Sequence, residues 1–161
     1  MLDFRKIKPK DEDFLIHLYG TTRFDVHQNG HHLSREQKFD FYTQQYHLQQ
    51  THYKKNSPKA NFKIVRYNNK DVGRLTYDNT KDELWILELS LLPEMRGKGI
   101  GKLIINRLET KAKKSLGLYV SNLNEAGLSF YKSLGFKTTE SEFEYCHKLT
   151  KTFELQKESI M

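Results

Sequence analysis

Three glycines within six residues place the tightest constraint on what this chain can fold into. They belong to the run Arg96-Gly97-Lys98-Gly99-Ile100-Gly101, which follows an apolar stretch, residues 84–92, that is typical of a buried strand. The apolar residues after the run recur at helical spacing: Leu103, Ile104, Leu108 and Ala112. Because glycine has no Cβ, the backbone at such a strand-to-helix turn can approach a ligand and direct several N–H groups at one point. The helix N-terminus and two basic side chains add positive charge, so the run predicts a receptacle for phosphate groups.

Two common phosphate motifs do not fit this run. A P-loop requires Gly-x4-Gly-Lys-Ser/Thr, but arginine stands at position 96 and leucine at position 103. The dinucleotide pattern Gly-x-Gly-x-x-Gly fails in both registers, because Lys102 or Ile104 occupies the place of its last glycine. What remains is Arg-x-x-Gly-x-Gly after Leu-Leu-Pro. A glycine-rich turn without a ligand is the alternative.

Length and charge limit the possibilities further. The chain has 161 residues with 27 basic and 20 acidic side chains, a net charge of +7. We expect one domain over residues 1–150 and a polar tail over 151–161. The basic balance suits a polyphosphate cofactor, but nucleic acid or an anionic surface suits it equally well.

Three further features predict a cytoplasmic protein. The single cysteine, Cys146, excludes an intramolecular disulfide and fits a reducing compartment. The start of the chain is charged where a signal peptide would be apolar. No stretch approaches the ~18 apolar residues of a membrane helix.

The pattern of apolar and turn-forming residues predicts a mixed sequence of strands and helices. A capping box begins the second helix at Ser34 and Gln37, Asp11 or Asp13 caps the first helix, and Asn68-Asn69 joins two strands as a hairpin. The polar segment 21–33 is predicted to be a loop. Strands are expected over 2–8, 62–67, 71–77, 84–92, 118–121, 136–137 and 143–149, and helices over 11–19, 34–53, 102–114 and 125–134.

A second motif lies about twenty residues after the glycine run, beyond the helix that follows the run. It reads Val-Ser-Asn-Leu-Asn-Glu-Ala over 120–126, then Phe-Tyr-Lys-Ser-Leu-Gly-Phe over 130–136. Together with Arg-x-x-Gly-x-Gly, these segments resemble the signatures of the GCN5-related N-acetyltransferase (GNAT) superfamily, of bacterial type. The resemblance spans roughly residues 2–149, and its specific parts are 86–101 and 118–136. It implies a mixed α/β fold, with a mostly antiparallel sheet of about seven strands and about four helices.

A weaker similarity concerns one bacterial subgroup of that superfamily. The second helix of that subgroup is rich in aromatic residues and glutamine, as is the segment 41–46 of this chain. One of its strands has a sequence similar to Val-Gly-Arg-Leu at 72–75. No substrate follows from this similarity.

The resemblance implies acetyl-coenzyme A as the acyl-donor cosubstrate and assigns residues to it. The strand backbone around Leu89 pairs with the pantetheine arm, the glycine run takes the diphosphate, and the later motif contacts pantetheine. Each has a structural alternative: solvated lysines, a helix N-cap at Asn124 and a core position for Phe130. The cofactor-binding residues so implied are Leu89, Leu91, Leu92, Arg96, Gly97, Lys98, Gly99, Ile100, Gly101, Lys102, Asn124 and Phe130.

Glu88 and Tyr131 are the candidate catalytic residues. A carboxylate in an apolar strand is partly desolvated, which suits it to take a proton from the substrate ammonium. A salt bridge from Glu88 to Arg74 or Arg66 is an equally good interpretation. By helical spacing, Tyr131 lies at the edge of an apolar face, where its hydroxyl can protonate the leaving thiolate. A core tyrosine is the alternative.

No metal site is expected. His27, His31 and His32 cluster in the polar segment, but no carboxylate or cysteine pattern completes a ligand set. That segment borders the acceptor cleft, where Arg23 and Asp25 are candidates for substrate contact.

The sequence therefore predicts an acetyl-CoA-dependent N-acetyltransferase that moves an acetyl group to a primary amine by direct attack in a ternary complex. Amine and cosubstrate are expected to meet between the strands at 84–92 and 118–121. The acceptor is unidentified, and a homodimer is possible. A basic nucleic-acid-binding module and a non-catalytic acyl-CoA-binding regulator remain as alternatives.

Overall fold

The structure is a computed structural model that describes residues 1–80 and 82–153. Within these ranges it contains seven strands and five α-helices. The strands are β1 Leu2–Lys6, β2 Asn61–Tyr67, β3 Lys70–Asn79, β4 Glu83–Leu91, β5 Ser115–Ser121, β6 Lys137–Thr139 and β7 Cys146–Thr152. The helices are α1 Glu12–Thr21, α2 Phe24–Asn29, α3 Arg35–Asn56, α4 Ile100–Lys111 and α5 Glu125–Ser133, with 3-10 turns at Pro9–Asp11 and Pro93–Met95.

The strands form one sheet in the order β1-β2-β3-β4-β5-β7-β6. The pairs β1–β2, β5–β7 and β6–β7 are antiparallel, whereas β4 and β5 run parallel. The mixed, mostly antiparallel sheet that the sequence predicts is thus present. The predicted tail over 151–161 lies, from residue 154 onward, outside the described residues, and β7 continues to Thr152.

The chain divides into two compact units, which are described separately. The first comprises Met1–Thr76 and Glu88–Gly101. Its buried apolar cluster joins helix α1 to helix α3 and strand β2, with Ile7, Phe14 and Tyr42 packed around it. The buried members are Leu15, Ile16, Tyr19, Tyr46 and Ile64.

The second unit comprises two segments, Tyr77–Leu87 and the chain from Lys102 onward. Helix α4 buries Ile104, Ile105 and Leu108 completely. Leu103, which recurs with them at helical spacing, does not share this face, since 45% of its surface is exposed. The helix begins at Ile100, which sets the buried face along positions 100, 104, 105 and 108.

Of three predictions made from short local patterns, two are confirmed and one is wrong. The hairpin is confirmed, because Asn68 and Asn69 adopt positive φ angles of 52° and 67° between β2 and β3. The capping box of Ser34 with Gln37 at the start of α3 is confirmed as well. The loop predicted over 21–33 is wrong, because α2 occupies part of it. That helix is six residues long and buries only Val26, too short a pattern for periodicity to reveal.

The capping prediction for α1 is also corrected. Asp11 stands at the N-cap position but makes no side-chain cap to the helix. Its carboxylate instead accepts from the Lys8 backbone N–H at 2.7 Å and from Arg5 at 2.8 and 2.9 Å.

Candidate functional site

The glycine run, residues 96–101, connects the end of β4 to the start of α4 by way of the turn Pro93–Met95. Gly97 and Gly99 have φ angles of +73° and +81°, in the left-handed region that side chains rarely adopt. A Cβ built at either position would meet no atom within 4 Å. These glycines therefore serve the backbone conformation and leave open space beside it. We call residues 96–101 the glycine loop.

The Arg96 side chain ties this loop to the first helix. Its Nε donates to the Leu91 carbonyl oxygen at 3.0 Å, and its Nη2 donates to Thr21 Oγ1 at 3.0 Å. Burial lowers the pKa of Arg96, and the charge of Glu94 opposes that shift. Two of the three guanidinium nitrogens thus hold the fold together, while Lys98 and Lys102 are exposed.

Strand β4 approaches β3 very closely just before the loop. A Cβ at Gly73 would lie 2.4 Å from the Ser90 carbonyl oxygen, so a larger residue there would force the strands apart. The Leu92 N–H donates to the Val72 carbonyl at 2.9 Å, which continues the contact past the end of β4. The parallel ladder with β5 covers residues 83–86 and 115–118, and β4 itself runs on to Leu91. The predicted pantetheine-binding residues 89–92 follow that ladder.

Glu88 lies among polar side chains of helix α3. Gln49 Nε2 is 3.5 Å from Glu88 Oε2. Arg74, on β3, is fully buried and donates from Nη2 to Gln49 Oε1 at 2.9 Å and to Gln50 Oε1 at 2.7 Å. Its guanidinium also stands 5.2 Å from the centre of the Tyr46 ring. We call Tyr46, Gln49, Gln50, Tyr53, Arg74 and Glu88 the Arg74 cluster.

The ion-pair interpretation of Glu88 names Arg74 or Arg66 as its partner. Within the part of the chain that the structure describes, neither forms a salt bridge with it. Arg66 pairs with Asp71 at 3.2 Å, and Arg74 is held by the two glutamine amides. Sequence reasoning missed both glutamines, although the glutamine-rich character of their helix and the Val-Gly-Arg-Leu phrase were visible signals.

Two tyrosines of the cluster are held as neutral phenols. Burial raises the pKa of Tyr53, and the charge of Glu88 raises it further. Burial also raises the pKa of Tyr46, against the charge of Arg74. The cluster therefore contains one cation and one carboxylate, with neutral groups between and around them.

In the second unit, Asn124 is confirmed as the N-cap of α5. Its Oδ1 accepts from the Gly127 N–H at 2.9 Å. Tyr131 is buried, with 8% of its surface exposed. Its ring packs edge-on against Phe130 and Phe136, with centroids 5.0 and 5.4 Å apart. These contacts fix the direction of the Tyr131 ring, and Phe130 itself is half-buried.

In the polar segment before α3, the charged side chains of Arg23 and Asp25 pair with each other. Arg23 and Asp25 form a bidentate pair at 2.7 and 2.9 Å, and the Arg23 guanidinium stands 5.0 Å from the centre of the Phe41 ring. His27 Nε2 lies 3.1 Å from the Gly20 carbonyl oxygen. Residues 1–80 and 82–153 hold no group of three metal-ligating side chains, and none of their helices is long and apolar enough to cross a membrane.

Comparison with known proteins places these features in a family. The sequence model of the acetyltransferase (GNAT) domain matches residues 58–138, half of the chain. Among curated proteins, an uncharacterized N-acetyltransferase of Methanocaldococcus jannaschii is 32% identical over 90 residues. The match covers 49% of this chain and 40% of that relative, so the chain spans less than half of its length.

Solved structures share the fold over nearly the whole chain. PaiA N-acetyltransferase from Thermoplasma acidophilum, in complex with coenzyme A, has a TM-score of 0.69 at 21% identity and covers 95% of this chain and 99% of its own. An acetyltransferase from Thermus thermophilus has a TM-score of 0.69 at 16% identity, with coverages of 95% and 97%. An Arabidopsis thaliana protein in complex with the bisubstrate analogue CoA-Ac-MVNAL has a TM-score of 0.59 at 22% identity, with coverages of 94% and 99%. The predicted fold class is confirmed.

Proposed function

The chain belongs to the GNAT acetyltransferase family, and on that premise we propose that it transfers an acetyl group from acetyl-CoA to a primary amine. The observation that carries the proposal is the glycine loop. Its two left-handed glycines leave open space at the N-terminal end of α4. The family model covers this loop, and two structures with the same fold were solved with coenzyme A or a coenzyme A analogue.

The diphosphate of acetyl-CoA is proposed to bind at this loop. Backbone N–H groups of residues 97–102 and the partial positive charge at the start of α4 favour an anion there. Lys98 and Lys102 add exposed positive charge. Arg96 contributes its charge from a fixed position, because two of its nitrogens already hold Leu91 and Thr21.

The pantetheine arm is proposed to pair with the strand backbone of residues 89–92 as an added strand does. This stretch lies beyond the last residue that β5 pairs with on β4. Asn124 is proposed to donate from its amide nitrogen to a pantetheine carbonyl while its oxygen caps α5. Phe130 is proposed to supply apolar contact.

The chemistry is a direct transfer without a covalent enzyme intermediate. Glu88 accepts a proton from the substrate ammonium, directly or through water, and the neutral amine attacks the thioester carbonyl carbon. Backbone N–H groups near Leu89 stabilise the oxyanion. As the intermediate collapses, the C–S bond breaks and the Tyr131 hydroxyl gives its proton to the leaving thiolate. The attacking nitrogen loses its remaining extra proton to solvent, and the Tyr131 phenolate takes a proton back from solvent.

An assay of free thiol release against a panel of amines tests this proposal, with mass spectrometry of the acetylated product. We expect thiol release that requires both acetyl-CoA and an amine. Saturable acetyl-CoA binding without turnover on small amines, polyamines or peptides would favour a non-catalytic regulator. Salt-dependent DNA binding without a thermal shift by acetyl-CoA would favour a nucleic-acid module. The homodimer stays a prediction, which sedimentation can test. The cytoplasmic location also stays a prediction, which cell fractionation can test.

A further inference from the structure

The buried guanidinium of Arg74 has an unusual set of partners. None of its surface is exposed, and a buried cation is costly unless its charge and its donors are both satisfied. The partners that the described residues supply are the amide oxygens of Gln49 and Gln50 and the face of Tyr46. All three are neutral, so none of them compensates the charge of the guanidinium.

The chemistry of Arg74 fixes which way the Gln49 amide faces. A guanidinium only donates hydrogen bonds, so the group that meets it must be the amide oxygen. The amide nitrogen of Gln49 then points to the other side, where it lies 3.5 Å from Glu88 Oε2. Gln49 thus connects the buried cation to the one carboxylate of the cluster.

Two groups of helix α3 face Glu88. They are the Gln49 amide and the neutral phenol of Tyr53, and Arg74 of strand β3 reaches the carboxylate only through Gln49. Gln50 differs from Gln49 in one respect that matters. It accepts from the same Arg74 nitrogen, at 2.7 Å, but its contact is to the arginine and not to the carboxylate.

We infer that Gln49 is a positioning residue for Glu88: Arg74 holds the Gln49 amide so that its N–H orients the carboxylate. The inference rests on the proposed function, because it takes Glu88 to be the base. The same helix provides Gln50 as a matched comparison, since its loss removes one acceptor from Arg74 without touching the carboxylate.

The test compares Gln49→Met with Gln50→Met, two substitutions of similar shape that delete one amide each. The carbon-13 resonance of the Glu88 side-chain carboxyl, identified by its absence in Glu88→Gln, is compared at one neutral pH in the wild type and in both variants. In Gln49→Met we expect this resonance to move, because the amide N–H that lies against the carboxylate is lost. In Gln50→Met we expect the wild-type position. If Gln49→Met does not fold, Gln49→Ala is measured in its place.

An unchanged carboxyl resonance in the Gln49 variant would overturn the inference. Equal changes in both variants would also overturn it, because the effect would then come from disturbing Arg74 and not from the amide contact. The spectroscopic comparison needs no turnover, so an inactive wild type would count against the proposed function without affecting this result. With an active enzyme, Gln49→Met should lower kcat about tenfold and leave the KM for acetyl-CoA unchanged, and Gln50→Met should change neither.

Discussion

The glycine loop and the Arg74 cluster lie in the same compact unit and are built in opposite ways. The loop offers backbone N–H groups, has no crowding at its two left-handed glycines and is formed by six consecutive residues. The cluster consists of side chains from α3, β3 and β4, and its arginine is completely buried. A loop of this kind binds through its backbone, whereas the cluster acts through the orientation of its side chains.

The difference predicts how each region fails. A side chain added at Gly97 or Gly99 blocks or repels a ligand, and its Cβ meets no protein atom within 4 Å. The cost to the fold is therefore the backbone strain of a positive φ and not a clash, so the fold should survive. A side chain removed from the cluster leaves a buried polar group without its partner, so stability should fall, and turnover should fall as well where the lost group contacts Glu88. The following substitutions sharpen or break this contrast.

The largest effect is expected for Glu88→Gln, which keeps the shape of the side chain and removes the base. Turnover should fall about 10²–10⁴-fold while acetyl-CoA affinity stays nearly intact. Steady-state kinetics and calorimetry on the same preparation measure the two quantities. Full activity with a lowered melting temperature would show that Glu88 serves the fold and not the reaction.

Gly99→Asp probes the loop by introducing a negative charge where the diphosphate is proposed to bind. Acetyl-CoA affinity should fall at least about 100-fold, or roughly 3 kcal/mol, with the melting transition retained. Gly99→Asn is the matched control, because asparagine has nearly the same size, tolerates positive φ and carries no charge. Titration calorimetry should show a much smaller loss for the control. Equal affinities for the aspartate variant and wild type would remove the phosphate assignment.

Tyr131→Phe tests a site outside both regions by deleting one hydroxyl from a ring that is already packed. If that hydroxyl protonates the thiolate, turnover should fall about tenfold or more at unchanged acetyl-CoA affinity and stability. Rates are compared across the pH range with an acceptor for which chemistry is limiting. Wild-type turnover in the variant would remove Tyr131 from the mechanism.

The smallest effect concerns the alkaline stability of the Arg74 cluster. Burial and the charge of Glu88 raise the pKa of Tyr53, so the folded state keeps a proton that the unfolded state loses above about pH 10. The stability that this phenol contributes is intact below that pH and is lost as the pH rises toward the folded-state value. Urea unfolding at about pH 9 and 11 should show a smaller decline for Tyr53→Phe, by up to about 1.4 kcal/mol per pH unit. Parallel declines for both proteins would contradict a phenol held neutral by the fold.

The parts of this molecule that depend on residues adjacent in the sequence could be predicted from the sequence. The glycine loop, the Asn68-Asn69 hairpin and the Ser34 capping box each require only a few adjacent residues of a given type, and all three elements are present. The family signatures then implied a mostly antiparallel sheet of about seven strands, and the described residues form such a sheet.

What the sequence did not reveal depends on residues that the fold brings together. The contact of Gln49 with Arg74 spans 25 positions, and its contact with Glu88 spans 39, so no local pattern predicts either. The short helix α2 was missed because one buried valine gives no period to detect. The arginine in the apolar segment Val-Gly-Arg-Leu and the glutamine-rich helix were the visible signs that a buried polar group needed partners.

The central claim is that this chain binds acetyl-CoA and that the glycine loop holds its diphosphate. Calorimetric titration of the wild-type protein with acetyl-CoA and, in parallel, with S-acetylpantetheine tests it most directly, since the second compound keeps the thioester arm and lacks the diphosphate. The account predicts saturable one-to-one binding of acetyl-CoA and at least about 100-fold weaker binding of the truncated compound. Equal affinities for the two compounds, or no binding of acetyl-CoA, would contradict it.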